Sequence, residues 1–232
     1  MELSREQFLI WFRTRWQQGE HVAIIGPTGT GKTTLTRQLL DARDYVTVLA
    51  VKKSDDTLDT FRKRLDNSPA YHVIDKWPPP INDNHVVYWR KPKSIVDVRS
   101  QQVSILKMLD AVYKDGGWCL SLDDLSYLCD TLHLERPLIV FMNQGRSSGL
   151  SVVSVVQRPF RVPLSCLNQT AHIIIYPTTD ENDVKRISEL TGTKMKQLLI
   201  MISRLKTTVL TVNKKKCDFL VWSRGDWLLV RA

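Results

Sequence analysis

The chain has 232 residues, 33 Lys and Arg against 24 Asp and Glu for a net charge of +9, and 43% hydrophobic residues. That is enough chain for one sizeable core, and ten Gly and ten Pro in a mixed composition exclude a collagen-like, low-complexity or disordered protein. No apolar run reaches the roughly 18 to 20 residues of a spanning helix, and charges stand where a signal peptide would be apolar, so the sequence reads as a soluble, cytoplasmic protein with no membrane partner.

Phe8, Leu9, Phe12 and Trp16 recur at helical spacing, which predicts an amphipathic helix over residues 1–20 bracing a main domain of residues 21–232. His21 to Ile25 reads as a buried strand, followed by a Gly/Thr-rich turn and a helix from Lys32 to Leu40. Tyr45 to Val51 and Val86 to Trp89 are further strands, separated by polar, Pro-rich segments at 52–70 and 76–84. Ser94, with Asp97 three residues on, caps a long helix that Gly116-Gly117 stops.

Trp118 to Leu122 is nearly all apolar and ends in Asp123-Asp124, the pattern of a central parallel strand with carboxylates at its C-terminal edge. A helix at Leu134 to Asn143 and strands at Ser151 to Val156 and His172 to Tyr176 continue the alternation. Alternating strands and helices imply an α/β fold, a mostly parallel central sheet flanked by helices. One or two helices after residue 180 and a hairpin turning at Ser223 to Asp226 complete the chain. Cys119, Cys129, Cys166 and Cys217 form no Cys-x-x-Cys pair and predict buried thiols.

Gly26-Pro27-Thr28-Gly29-Thr30-Gly31-Lys32-Thr33 fits G-x-x-x-x-G-K-[ST] and lies between a predicted strand and a predicted helix, the context that gives such a match meaning. Glycines let successive backbone N–H groups turn inward around an anion, and the helix N-terminus adds its positive dipole end. The loop from Gly26 to Thr34 is therefore the candidate site for ATP. Lys32 is placed to reach the β- and γ-phosphates and Thr33 to ligate Mg²⁺. A carboxylate at a neighbouring strand end is the expected second metal ligand, which Asp123 fits, while Asp124 is placed to orient or deprotonate an attacking water.

Asn143 to Pro159, with Gly145-Arg146, Gly149-Leu150 and Val156-Gln157-Arg158-Pro159, resembles the "GR…G(I/L)…(T/V)QRP" stretch of the HerA/FtsK superfamily. The resemblance covers about residues 20 to 190. It implies a RecA-like P-loop NTPase, most similar to the ATPases that package double-stranded DNA in viruses and phages. It also implies that Gln157 contacts the γ-phosphate or the attacking water, and that Arg146 is an arginine finger for a neighbouring subunit, with Arg158 as the alternative. One departure is visible: the family usually has Asp-Glu where this chain has Asp123-Asp124.

Such a motor is expected to form a pentameric or hexameric ring, to grip duplex DNA by its phosphates and to dock on a capsid portal. Residues 181–232 carry a local excess of six positive charges, and a basic surface attracts polyanions. Candidate DNA contacts are Lys52 and Lys53, Arg62-Lys63-Arg64, Lys194 with Lys196, and Lys214-Lys215-Lys216. The alternatives are a plasmid-transfer or chromosome-segregation translocase, an ATPase that drives protein export, a small-molecule kinase, and a nucleotide-dependent scaffold that does not hydrolyse ATP.

Overall fold

A computed structural model of the chain describes residues 1–53, 61, 70–80, 83–94, 96–211 and 214–232, with the side chains of 211, 214 and 215 outside that set. Among the described residues, ten strands form one sheet. In chain order they are β1 (Glu2–Ser4), β2 (His21–Ile25), β3 (Val46–Ala50), β4 (His72–Ile74), β5 (His85–Trp89), β6 (Cys119–Leu122), β7 (Ser151–Val156), β8 (Thr170–Ile175), β11 (Phe219–Ser223) and β12 (Asp226–Arg231). A separate two-stranded ribbon pairs β9 (Thr207–Thr211) with β10 (Lys214–Cys217). Among the fully described segments the α-helices are α1 (Arg5–Arg15), α2 (Lys32–Leu40), α3 (Val98–Asp115), α4 (Leu125–Asp130), α5 (Glu135–Gly145), α6 (Glu181–Thr191) and α7 (Met195–Ser203).

The sheet order is β1-β12-β11-β8-β2-β7-β6-β3-β5-β4. From β8 to β4 every pair is parallel, so seven strands end at one edge. The antiparallel hairpin β11–β12 extends the sheet beyond β8. Strand β2 is buried at all five positions, and its alternating side chains feed two cores. Ala23 and Ile25 join one core with residues of α3, α4, α5 and α6, and Val22 and Ile24 join the other with Phe8, Phe12 and Leu35. Helices therefore cover both faces, which a parallel sheet requires. This is the α/β architecture that the alternation predicts.

Several elements differ from the expectation. The first helix starts at Arg5 rather than Met1, because Ser4 and Gln7 form a capping box and Glu2–Ser4 pairs with β12 as an edge strand. The long helix begins at Val98, not Ser94: Asp97 occupies the cap, and its carboxylate accepts from Lys93 N at 2.9 Å rather than from a backbone N–H of the helix. Helix α4 follows Asp124 directly and was not anticipated, and neither were β4, β9 and β10. All four cysteines are buried and free, as expected. No helix among the described residues is long and apolar enough to cross a membrane.

Candidate nucleotide-binding and catalytic site

The glycine loop leaves β2 at its carboxyl end and enters α2. Gly26 N donates to Val156 O at 3.0 Å, and Tyr176 N donates to Ile25 O at 2.8 Å, so the loop is anchored on strands either side of β2. Gly26 has no room for a side chain, since a Cβ there would stand 2.5 Å from Tyr176 Cβ. Gly29 and Gly31 take positive φ values of 79° and 89°, the left-handed backbone that glycine tolerates. Gly31 caps α2 without any side-chain hydrogen bond, which leaves the first N–H groups of the helix turned into the loop.

Lys32 is 6% exposed and donates to Pro27 O at 2.7 Å. Burial pushes its ammonium down to about 8, against the upward pull of Asp123 and Asp124 and with a further downward push from Lys52. A buried cation whose described hydrogen bond is to a carbonyl, beside an uncapped helix start, fits an incoming phosphate. Thr33 is half-buried and Thr34 exposed at the same helix start.

Strand β7 lies between β2 and β6, so the acid pair reaches the loop's side of the sheet across one intervening strand end. Gln157 follows that strand directly, and its Oε1 accepts from Thr28 Oγ1 at 3.2 Å. Asp124 caps α4 with left-handed backbone, φ 61° and ψ 63°, and accepts from Tyr127 N at 3.4 Å. Lys52, at the end of β3, stands 3.1 Å from Asp123 Oδ2 and 3.9 Å from Asp124 Oδ2. Lys52, a candidate DNA contact from its sequence, is paired with the acids in the structure. Its signal was available, because Lys52 follows an apolar parallel strand just as Asp123 does, and such strand ends share one edge.

Arg158 is not a free finger here. Its guanidinium holds Asp180 at 2.6 Å and Asp183 at 2.7 Å within the same chain. These residues border a cleft of about 430 Å³ between the glycine loop and the segment after β8, which Thr178 and Thr179 also line. Thr178, Asp180 and Asp183 were missed as site residues; Asp180 reads as a helix cap from sequence, and it does accept from Asn182 N and Asp183 N.

Arg146 lies at the opposite edge. It follows α5 and precedes β7, beside Gly19 and the start of β2, roughly 15 Å from the loop by the rise of a five-residue strand. It is exposed. The structure thus brings together the loop, Asp123, Asp124, Gln157 and Arg158, and separates Arg146 from them within one chain. Of the DNA candidates, Lys53, Lys194, Lys196 and Lys216 are exposed. Arg62, Lys63 and Arg64 lie outside the described residues, as do the side chains of Lys214 and Lys215.

No protein-family model matches the chain, and no curated protein matches it in sequence. The likeness is to solved structures. The genome-packaging NTPase B204 of Sulfolobus turreted icosahedral virus 2, in complex with ATP-gammaS, superposes with a TM-score of 0.60 at 13% identity over 90% of this chain and 95% of that one. B204, the DNA-packaging ATPase of Sulfolobus turreted icosahedral virus, gives 0.57 at 16% identity, covering 92% and 98%. EssC, ATPases 2 and 3, from Geobacillus thermodenitrificans gives 0.59 at 13% identity, covering 92% of this chain and 39% of that one. The fold of the chain is that of the P-loop ATPases.

Proposed function

We propose that the chain is an ATPase that works as a homo-oligomeric ring to move double-stranded DNA, in the setting of viral genome packaging with a capsid portal as its dock. The observation that carries this is the division of the machinery between the two sheet edges. The loop, the acid pair and Gln157 converge at one, and the exposed Arg146 stands at the other, out of reach of its own loop, which supports a role toward a neighbouring copy. The match to B204 over almost the whole of both chains supports the packaging setting.

Lys32 and the N–H groups of the loop bind the phosphates, and burial keeps water from screening that cation. Asp124 orients and deprotonates the attacking water, and Gln157, held by Thr28, fixes the position of that water. Asp is one methylene shorter than the family's Glu, so the water must approach more closely or be reached through a second water. Thr33 and Asp123 would provide oxygen ligands of the kind Mg²⁺ takes, and the ion would supply charge neutralisation at the phosphates. Arg146 of one subunit stabilises the charge that spreads over the γ-oxygens in the next, an effect worth about 10³ to 10⁵ in rate.

Steady-state ATP hydrolysis with and without duplex DNA across a salt series tests the reading, with Lys32→Ala as the blank. Stimulation by DNA that fades as salt rises is expected. Lys32-dependent turnover indifferent to DNA would favour the second reading, a protein-export ATPase, for which the likeness to the Type VII secretion ATPase EccC of Thermomonospora curvata speaks.

A further inference from the structure

The same carboxyl edge of the sheet holds a second cleft, of about 310 Å³, at the outer strands β4 and β5. Ile74 and Trp89 wall it, and Arg90, Lys91 and Lys93 line it against one acid, Asp75. Lys91 and Lys93 are exposed. The Lys91 ammonium rests over the Trp89 ring, 4.9 Å from its centroid. Arg90 donates to Ser100 Oγ at 2.8 Å, while its Nε is buried with no partner among the described residues. The C-terminal segment differs: Arg231 is held by Glu2 and Asp218, Arg224 by Glu20, and Arg186 by Glu189. The surplus charge there is partly neutralised within the fold; at the cleft Asp97 offsets part of the charge of Arg90 and Lys93, and Lys91 and Lys93 stay exposed.

The cleft is tied to the acid pair by hydrogen bonds. Trp89 Nε1 donates to Lys52 O at 3.0 Å, and Lys52 is the cation that pairs with Asp123. Gln101 is fully buried and donates through Nε2 to both Val51 O and Arg90 O, clipping the ends of β3 and β5 together. Its Oε1 accepts from Tyr127 Oη at 2.9 Å, and Tyr127 N donates to Asp124.

We infer that the Arg90–Lys93 cleft grips the phosphate backbone of duplex DNA, and that Gln101 and Tyr127 are positioning residues carrying its occupancy to Asp123 and Asp124. The inference rests on the DNA-motor reading. Phosphates contribute no base readout in such a grip; they supply anions that a cation cluster beside an aromatic wall can hold. Drawing the Arg90–Lys93 segment onto DNA shifts Arg90 O and Trp89, and through them Gln101 and Lys52, so that the acids are re-aimed when DNA is present.

Fluorescence anisotropy with a short labelled duplex tests the grip on the full chain. Lys91→Glu/Lys93→Glu loses at least about tenfold in affinity, and its slope of log affinity against log salt falls by about two. Lys194→Glu/Lys196→Glu makes the same charge change elsewhere and loses clearly less. Gln101→Leu binds the duplex within about twofold of wild type but loses the DNA-stimulated part of ATP turnover. Tyr127→Phe, which removes one hydroxyl and is the milder change, loses it in part. Equal losses in the two double variants, or full stimulation in both Gln101→Leu and Tyr127→Phe, would overturn the inference. A wild-type chain with no duplex affinity at low salt would overturn the DNA-motor reading as well. Duplex binding that survives Lys91→Glu/Lys93→Glu would overturn this site alone.

Discussion

His21 opens β2 at 2% exposure, and its ring is held by main chain on both sides. Val152 N donates to Nδ1 at 3.1 Å, so Nε2 carries the proton and donates to Met142 O at 2.9 Å. Protonating Nδ1 would break the first of these bonds. Burial pushes His21 below its ordinary 6.5, the bond to Met142 opposes this, and the charge of Arg146 adds to the push. Burial also lowers His172, which lies between Glu20 and Ser223. Between the lowered values and 6.5 the unfolded chain binds more protons than the folded one. Stability is therefore full above about pH 6.5 and falls as the pH drops through the folded values. The urea midpoint should decline from about pH 7.5 to about pH 5, and a flat midpoint would contradict the neutral, buried assignment. None of this was legible in the sequence, because the partners of His21 come from segments 121 and 131 residues away. The phosphate loop was legible because its eight residues are contiguous. The pairing of Lys52 with Asp123 spans 71 residues, so no local pattern shows it and only the shared edge of two parallel strands points to it.

At the scale of elements, the turn that carries Arg146 is held from two directions. Gln18 Nε2 donates to Gly117 O at 2.8 Å and to Gly149 O. Gly19 N donates to Ser151 Oγ at 3.0 Å, and a Cβ on Gly19 would stand 2.7 Å from Arg146 O. The guanidinium thus projects from a braced backbone, which reduces the ordering it must undergo on meeting a neighbour. Arg146→Ala should bind nucleotide as wild type does and lose about 10³-fold in turnover. Mixed with Lys32→Ala, it should recover measurable turnover, because a Lys32→Ala subunit still offers Arg146 to a neighbour whose loop is intact. Mixtures as inactive as either parent would contradict action between subunits. The strands around this site were legible because their apolar runs are strong and flanked by turn residues. The short edge strands β1 and β4, of three residues each, were not, since pairing rather than local pattern defines them. Helix α4 was missed for a different reason: six residues hold too little periodicity to read.

Across the whole molecule, the sheet order explains why residues far apart in sequence serve one reaction. Inserting β7 between β2 and β6 places Gln157 between the glycine loop and the acid pair. The parallel direction from β8 to β4 extends that same edge outward to the Arg90–Lys93 cleft. The excess charge at 181–232 was the sequence's clearest sign of a polyanion, yet the fold pairs Arg224 with Glu20 and Arg231 with Glu2 and Asp218. Movement along DNA, rather than binding or hydrolysis alone, is what the account requires. The most direct measurement is the release of a third strand from a duplex, followed with and without ATP. ATP-dependent displacement by the wild-type chain and none by Lys32→Ala is the predicted result. DNA binding and ATP turnover with no displacement of the third strand would contradict the central claim.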